Sequence, residues 1–206
     1  MIASAPCAAY YAANARITIL ATMKPLQRTR GALSDAAAAG PSPDYQILPI
    51  APAHIDGYRR ALDSVARERR HLSFLEAPPS EQTRAFVMNN IAMRHPHFVA
   101  LVGREIVGWC DIVPLGQRGF THTGVLGMGV RPDWRGRGIG KALLNATIAA
   151  AAALDLTRVE LEVYAANAVA RALYQSYGFV EEGIKRKARY LDGRYEDIII
   201  MARLLD

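Results

Sequence analysis

Residues 130–141, Val130-Arg131-Pro132-Asp133-Trp134-Arg135-Gly136-Arg137-Gly138-Ile139-Gly140-Lys141, decide how this chain is read. They join a β-type run, Gly124–Val130, to a nearly all-apolar helical stretch, Gly138–Leu154, which should be largely buried. Three glycines in five residues open backbone conformations closed to other residues and let a ligand come close. The helix that follows presents unpaired backbone N–H groups and the positive end of its dipole. Together these features suit a phosphate or pyrophosphate. Arg131, Arg135, Arg137 and Lys141 surround the loop against one acid, Asp133. The competing explanation is a helix start that is glycine-rich for purely local reasons. The coincidence of cations with glycine spacing argues against it.

Two familiar phosphate motifs fit poorly. A P-loop ends in Gly-Lys-Ser/Thr, but Gly140-Lys141 is followed by Ala142, and its first glycine would fall on Arg135. A dinucleotide fingerprint wants GxGxxG directly after the strand; here the spacing is GxGxG, after a charged linker. Glu160 and Glu162 do stand about 20 residues further on, as that fingerprint asks.

Outward from the loop, strand and helix patterns alternate. Tyr45–Ile50 is β-like, and Asp56–Leu72 carries Tyr58, Leu62, Val65 and Leu72 at helical spacing. Ser80 reads as the N-cap of a second helix bearing Phe86, Val87 and Ile91. His97–Val102 and Ile106–Val113 read as a hairpin. Thr157–Tyr164 is a strand and Ala168–Tyr177 a helix. Phe179–Tyr190 and Arg194–Ala202 flank Asp192-Gly193, a type I′ turn signal. The pattern predicts an α/β fold, a mixed sheet with helices on both faces.

The first 44 residues differ in character. They hold 13 alanines, four basic residues and two acids, and end in Ala36-Ala37-Ala38-Ala39-Gly40-Pro41-Ser42-Pro43. We read 1–44 as an Ala-rich, flexible N-terminal extension and 45–206 as the folded domain. A secretory or organelle address is the weaker alternative. The chain of 206 residues is 51% hydrophobic with a net charge of +6, which excludes a disordered chain. No apolar run approaches the roughly 20 residues of a spanning helix. Cys7 and Cys110 make no disulfide framework, and no Cys/His cluster suggests a metal. A cytoplasmic protein is expected, without membrane or metal.

Arg135-x-x-Gly138-x-Gly140 resembles the [QR]-x-x-G-x-[GA] signature of the GCN5-related N-acetyltransferase (GNAT) superfamily. A second segment matches too: Asn167, then Tyr174 seven residues later, then Gly178-Phe179. The motifs span 126–180, and the layout of 45–206 agrees. The stretch Leu161–Leu204 looks most like bacterial acetyltransferases of small amines or amino acids. The resemblance implies a GNAT-like central sheet of about seven strands, with a splayed strand pair forming the acetyl-CoA cleft. It implies acetyl transfer from acetyl-CoA to a primary amine by direct attack, with no acyl-enzyme. A homodimer is a further implication.

Residue by residue, the resemblance assigns the backbone of Met128, Gly129 and Val130 to the pantetheine arm. It assigns Arg135, Gly136, Arg137, Gly138, Ile139, Gly140 and Lys141 to the pyrophosphate, chiefly through main-chain N–H groups. Asn167 is expected to touch the cofactor arm, and its residue type also suits a helix N-cap. Gly127 and Gly129 flank Met128, and glycine in a strand marks close approach of a ligand or of backbone. Tyr174 matches the general acid that protonates the leaving thiolate; a packed core aromatic is the alternative.

The general base is open. Gly124–Val130 holds no acid, which leaves Asp111, His122, Glu162 or a water relay. The acceptor pocket is expected from residues 71–79 and from the hairpin near Tyr190.

Other functions remain as alternatives: a non-catalytic acyl-CoA sensor, or a protein N-terminal or lysine acetyltransferase. Nucleic-acid binding is motivated by Lys185-Arg186-Lys187-Ala188-Arg189, but strand alternation should divide those charges between two faces. We therefore expect a small-molecule amine as partner and no nucleic acid.

Overall fold

The computed structural model describes residues 45–205. The notional extension, residues 1–44, lies outside the described residues. Seven strands form one sheet in the order β1-β2-β3-β4-β5-β7-β6. They are β1 (Gln46–Pro49), β2 (His97–Val102), β3 (Glu105–Pro114), β4 (Thr123–Val130), β5 (Arg158–Tyr164), β6 (Val180–Leu191) and β7 (Arg194–Leu204). The helices are α1 (Ile55–Ala66), α2 (Ser80–Ala92), α3 (Ile139–Ala152) and α4 (Ala168–Ser176). Every strand pair is antiparallel except β4–β5, as expected where α3 carries the chain back across the sheet.

Side-chain alternation divides the core into two layers. On one face Tyr58, Leu62, Phe86 and Val87 from α1 and α2 pack on Val99, Trp109 and Val113. On the other, Leu143, Leu144 and Ile148 of α3 and Tyr174 of α4 pack on Cys110, Ile112, Leu126, Leu161, Val163 and Ile199. Helix α3 buries one face, with Leu143, Leu144 and Ala151 inaccessible to solvent, while Lys141, Asn145, Ala149 and Ala152 are exposed, so the stretch is less buried than its composition suggested.

Three local expectations are corrected. Helix α1 ends at Ala66, not at Leu72. After it Arg69 takes φ +60, and Arg67, Glu68 and Arg69 pair with Asp63, Arg135 and Asp192. Ser80 does not cap α2: Pro79 stands at the N-cap and Ser80 is already helical. Strand β6 is not a regular alternation, because its register slips between Lys185 and Arg189, where the three residues 186–188 stand opposite the single Asp197 of β7. Lys187 there has φ +52, so the basic run is not divided neatly between two faces. The Asp192-Gly193 turn is as expected, with φ of +51 and +77.

The strand glycines have a cause within the protein. A Cβ on Gly129 would meet the Trp109 ring at 2.3 Å, and one on Gly124 would meet Ile112 Cγ2 at 2.5 Å. At Gly127 the Asp111 carboxylate lies 3.5 Å from the Cβ position. Side chains of β3 fill these spaces, so the approach that the glycines permit is that of β3.

Candidate active site

The parallel β4–β5 ladder is short. It has three pairs, Thr123↔Arg158, Gly124↔Val159 and Val125↔Glu160, and then stops. Strand β4 continues to Val130 along β3, while β5 continues to Tyr164 along β7. The two strands therefore diverge into an opening walled by 126–130 and 161–164. The edge of β4 facing it has no strand partner, so its backbone polar groups must be satisfied otherwise. Met128, Gly129 and Val130 stand on this edge.

The glycine loop sits at the end of that wall. Pro132–Trp134 forms a 3₁₀ turn. Gly136 and Gly138 follow with φ of +75 and +80, left-handed conformations that favour glycine. Gly138 is the N-cap of α3, and no acid lies in its first turn. The first N–H to find an intrahelical partner is that of Ala142, which donates to the Gly138 carbonyl. The N–H groups of Ile139, Gly140 and Lys141 precede it, in the turn where helix geometry leaves donors free.

The cations are more occupied than the sequence suggests. Arg131 pairs with Glu105 at 3.2 Å. Arg135 donates through Nε to the Val130 carbonyl at 2.9 Å and through both terminal nitrogens to Glu68, at 2.5 and 2.8 Å. Arg137 stacks on Trp134 at 4.4 Å and donates to the Asp133 carbonyl. The loop's attraction for an anion thus rests on main-chain donors, with Arg137 and Lys141 at its rim.

Asn167 caps α4: its Oδ1 accepts from the Ala170 N–H at 3.2 Å, and its Nδ2 faces His71 Nδ1 at 3.3 Å. Tyr174 is the buried residue of α4, 7% exposed. It shares an apolar cluster with Leu126, Leu161 and Val163, which come from both walls of the opening. Burial pushes its phenol well above the usual range, so it stays protonated.

Alternation sorts the possible bases. Val159, Leu161 and Val163 are in the α3/α4 layer, so Glu160, Glu162 and Tyr164 point to the α1 side. Glu162 lies beyond the last β4–β5 pair and is ion-paired with Lys185. His122 precedes β4 at its paired end, six residues before Met128 and so about 20 Å away along an extended chain. Asp111 lies over Gly127. Burial pushes its carboxyl up to about 8, so it holds its proton at neutral pH.

That shift has a measurable consequence. The folded chain binds the Asp111 proton more tightly than the unfolded one, whose carboxyl titrates near 3.8. Between those values Asp111 makes stability fall as pH rises. Asp111→Asn should flatten the fall and raise the melting temperature at pH 8 relative to the parent. Parallel slopes for the two proteins in thermal melts from pH 4 to 8 would contradict this.

Sequence reasoning missed Glu68, which it placed inside a helix, and the contact of His71 with Asn167. Both contacts join residues far apart in the chain. Tyr45 was also missed as a neighbour of the loop, with its hydroxyl 3.6 Å from the Cβ position of Gly138.

Comparison with known proteins accounts for this geometry. The profile of the acetyltransferase (GNAT) family matches residues 62–179. The chain belongs to the GNAT family. Within that family it is 33% identical over 107 residues to the L-amino acid N-acetyltransferase AaaT of Escherichia coli K12, covering 52% of this chain and 66% of that one. It is 37% identical over 107 residues to the N-alpha-acetyltransferase RimI of Mycobacterium tuberculosis, covering 50% and 64%. The matches thus span just under two thirds of these relatives. A GNAT acetyltransferase structure from Streptococcus pneumoniae superposes with a TM-score of 0.73 at 26% identity, over 78% of this chain and 99% of the other. The fold is also that of a GNAT phosphinothricin acetyltransferase from Sinorhizobium meliloti in complex with acetyl-CoA, with a TM-score of 0.73 at 20% identity, over 79% and 89%. Among the described residues no group of three metal-ligating side chains occurs, and no helix is long and apolar enough to cross a membrane.

Proposed function

We propose that this GNAT protein transfers an acetyl group from acetyl-CoA to the primary amine of an amino acid. The opening where β4 leaves β5 carries the reading, since the glycine loop adjoins it. The residues fit the cosubstrate. Unpaired β4 backbone at Met128, Gly129 and Val130 suits the amides of a pantetheine arm. Main-chain donors from Gly136 to Lys141 suit a pyrophosphate, with Asn167 at the arm. Acetyl-CoA supplies an activated acyl group as a thioester.

Tyr174 and Glu162 then divide the proton handling. A phenol that stays neutral is suited to donate a proton to a departing thiolate. Glu162 is suited to receive the ammonium proton, directly or through water. His122 stands at the closed end of the strand pair, and Asp111 is already protonated at neutral pH.

A polypeptide N-terminus as acceptor is supported about as well, because the N-alpha-acetyltransferase RimI matches over a similar length. Both acceptors present an α-amine. Release of free CoA from acetyl-CoA, followed across a panel of amino acids, short peptides and polyamines, tests the reading. Turnover of at least one α-amine supports it. Silence across the panel with retained acetyl-CoA binding would favour an acyl-CoA sensor instead.

A further inference from the structure

Four side chains from three separate parts of the chain form one polar line beside the opening. Arg135, in the glycine loop, grips the Glu68 carboxylate with both terminal nitrogens. Glu68 Oε2 also lies 3.6 Å from His71 Nε2. His71 Nδ1 then meets Asn167 Nδ2 at 3.3 Å.

The protonation of this line is fixed by its ends. Asn167 Oδ1 is taken by the Ala170 N–H, so the amide must offer its NH₂ to His71. His71 Nδ1 is therefore the acceptor, and its proton sits on Nε2, aimed at Glu68. Burial, with the Arg135 charge adding to it, lowers the His71 pKa and keeps the ring neutral. A neutral ring with one donor and one acceptor matches both neighbours.

Glu68 and His71 also begin the segment that joins α1 to α2. That segment lies on the α1 face, where the Tyr164 hydroxyl reaches the Leu72 carbonyl at 3.5 Å. Arg69 pairs with Asp192 at the β6–β7 turn, and Arg189 donates to the Arg69 carbonyl. The segment thus borders Tyr164, while the line ties its first residues to two elements expected to hold the cofactor.

We infer that Glu68 and His71 are positioning residues through which the bound cofactor sets the shape of the acceptor-side segment 69–75. This rests on the acetyl-CoA reading above. The cofactor would engage the loop at Arg135 and the amide at Asn167, and both ends of the line lead into the same segment. Neither Glu68 nor His71 touches the reacting atoms. Their effect is to make the acceptor wall take its working form once CoA is in place.

Hydrogen exchange with saturating coenzyme A as probe tests this. In the parent protein, coenzyme A should slow exchange in residues 69–75 about fivefold or more, as well as in the glycine loop. In Glu68→Gln and in His71→Ala, loop protection should persist while the ratio of rates with and without coenzyme A in 69–75 falls to about one. Glu68→Asp, which keeps the charge, should retain part of the response. A merely structural contact would change exchange equally with and without coenzyme A and leave the ratio intact. A parent protein with a protected loop but no response in 69–75, or variants with the full response, would overturn the inference alone. A parent whose glycine loop gains no protection would overturn the acetyl-CoA reading itself.

Discussion

Replacing Gly138 and Gly140 together by valine should weaken acetyl-CoA binding by at least about 100-fold, or about 2.7 kcal/mol. Titration calorimetry reads it directly. The two positions fail for different reasons. Gly138 caps α3 at φ +80, where a β-branched residue is strained and the loop must rebuild. At Gly140 a Cβ would meet Leu173 Cδ2 at 3.5 Å and Met128 Cε at 3.6 Å, ordinary contact distances. A Cβ alone disturbs the protein little there, so affinity lost in Gly140→Val with thermal stability unchanged would report a blocked ligand. Gly140→Ala should bind nearly as well as the parent. Unchanged affinity in the double variant would remove the loop from the cofactor site.

Tyr174→Phe should lower turnover by about 10² to 10⁴, the usual contribution of a positioned acid, while the Kd for acetyl-CoA changes less than about threefold. The ring remains to fill its place against Phe179, 5.8 Å away between centroids, so the fold should tolerate the change. Because burial keeps the phenol protonated, the parent's rate should show no alkaline loss from Tyr174 in the ordinary working range. Steady-state rates and calorimetry on both proteins decide the matter. Full activity in Tyr174→Phe would make it a packing residue.

The legible parts of this protein were those written locally. Glycine spacing announced the loop, Asp192-Gly193 the turn, and Asn167 the cap of α4. The end of α1 was hidden because residues 67–72 are good helix formers at helical spacing. There the chain leaves the helix with Arg69 at φ +60, and Arg69 and Glu68 pair with Asp192 and Arg135, far along the chain. The bulge in β6 was hidden for a similar reason, since Asp197 of β7 accepts from the Lys187 N–H. The strand glycines were read as marking close approach of a ligand or of backbone, whereas the side chain of Trp109, 20 residues earlier, fills the space at Gly129. The basic loop, too, looked more available in sequence than it is, because Glu68 and Glu105 already hold two of its arginines.

The interrupted β4–β5 ladder bears on how this chain can change over generations. Along 126–130 the side chains serve the core or yield to β3, and what the opening offers is peptide N–H and C=O. Such a surface does not depend on which side chains it carries. Met128 and Val130 can exchange for residues of similar volume with the opening's hydrogen-bonding pattern kept. Constraint should concentrate instead on backbone shape, at Gly136, Gly138 and the register with β3. A lineage of such proteins could therefore renew its side chains around the opening freely while the backbone of β4 and the glycine loop stayed the same.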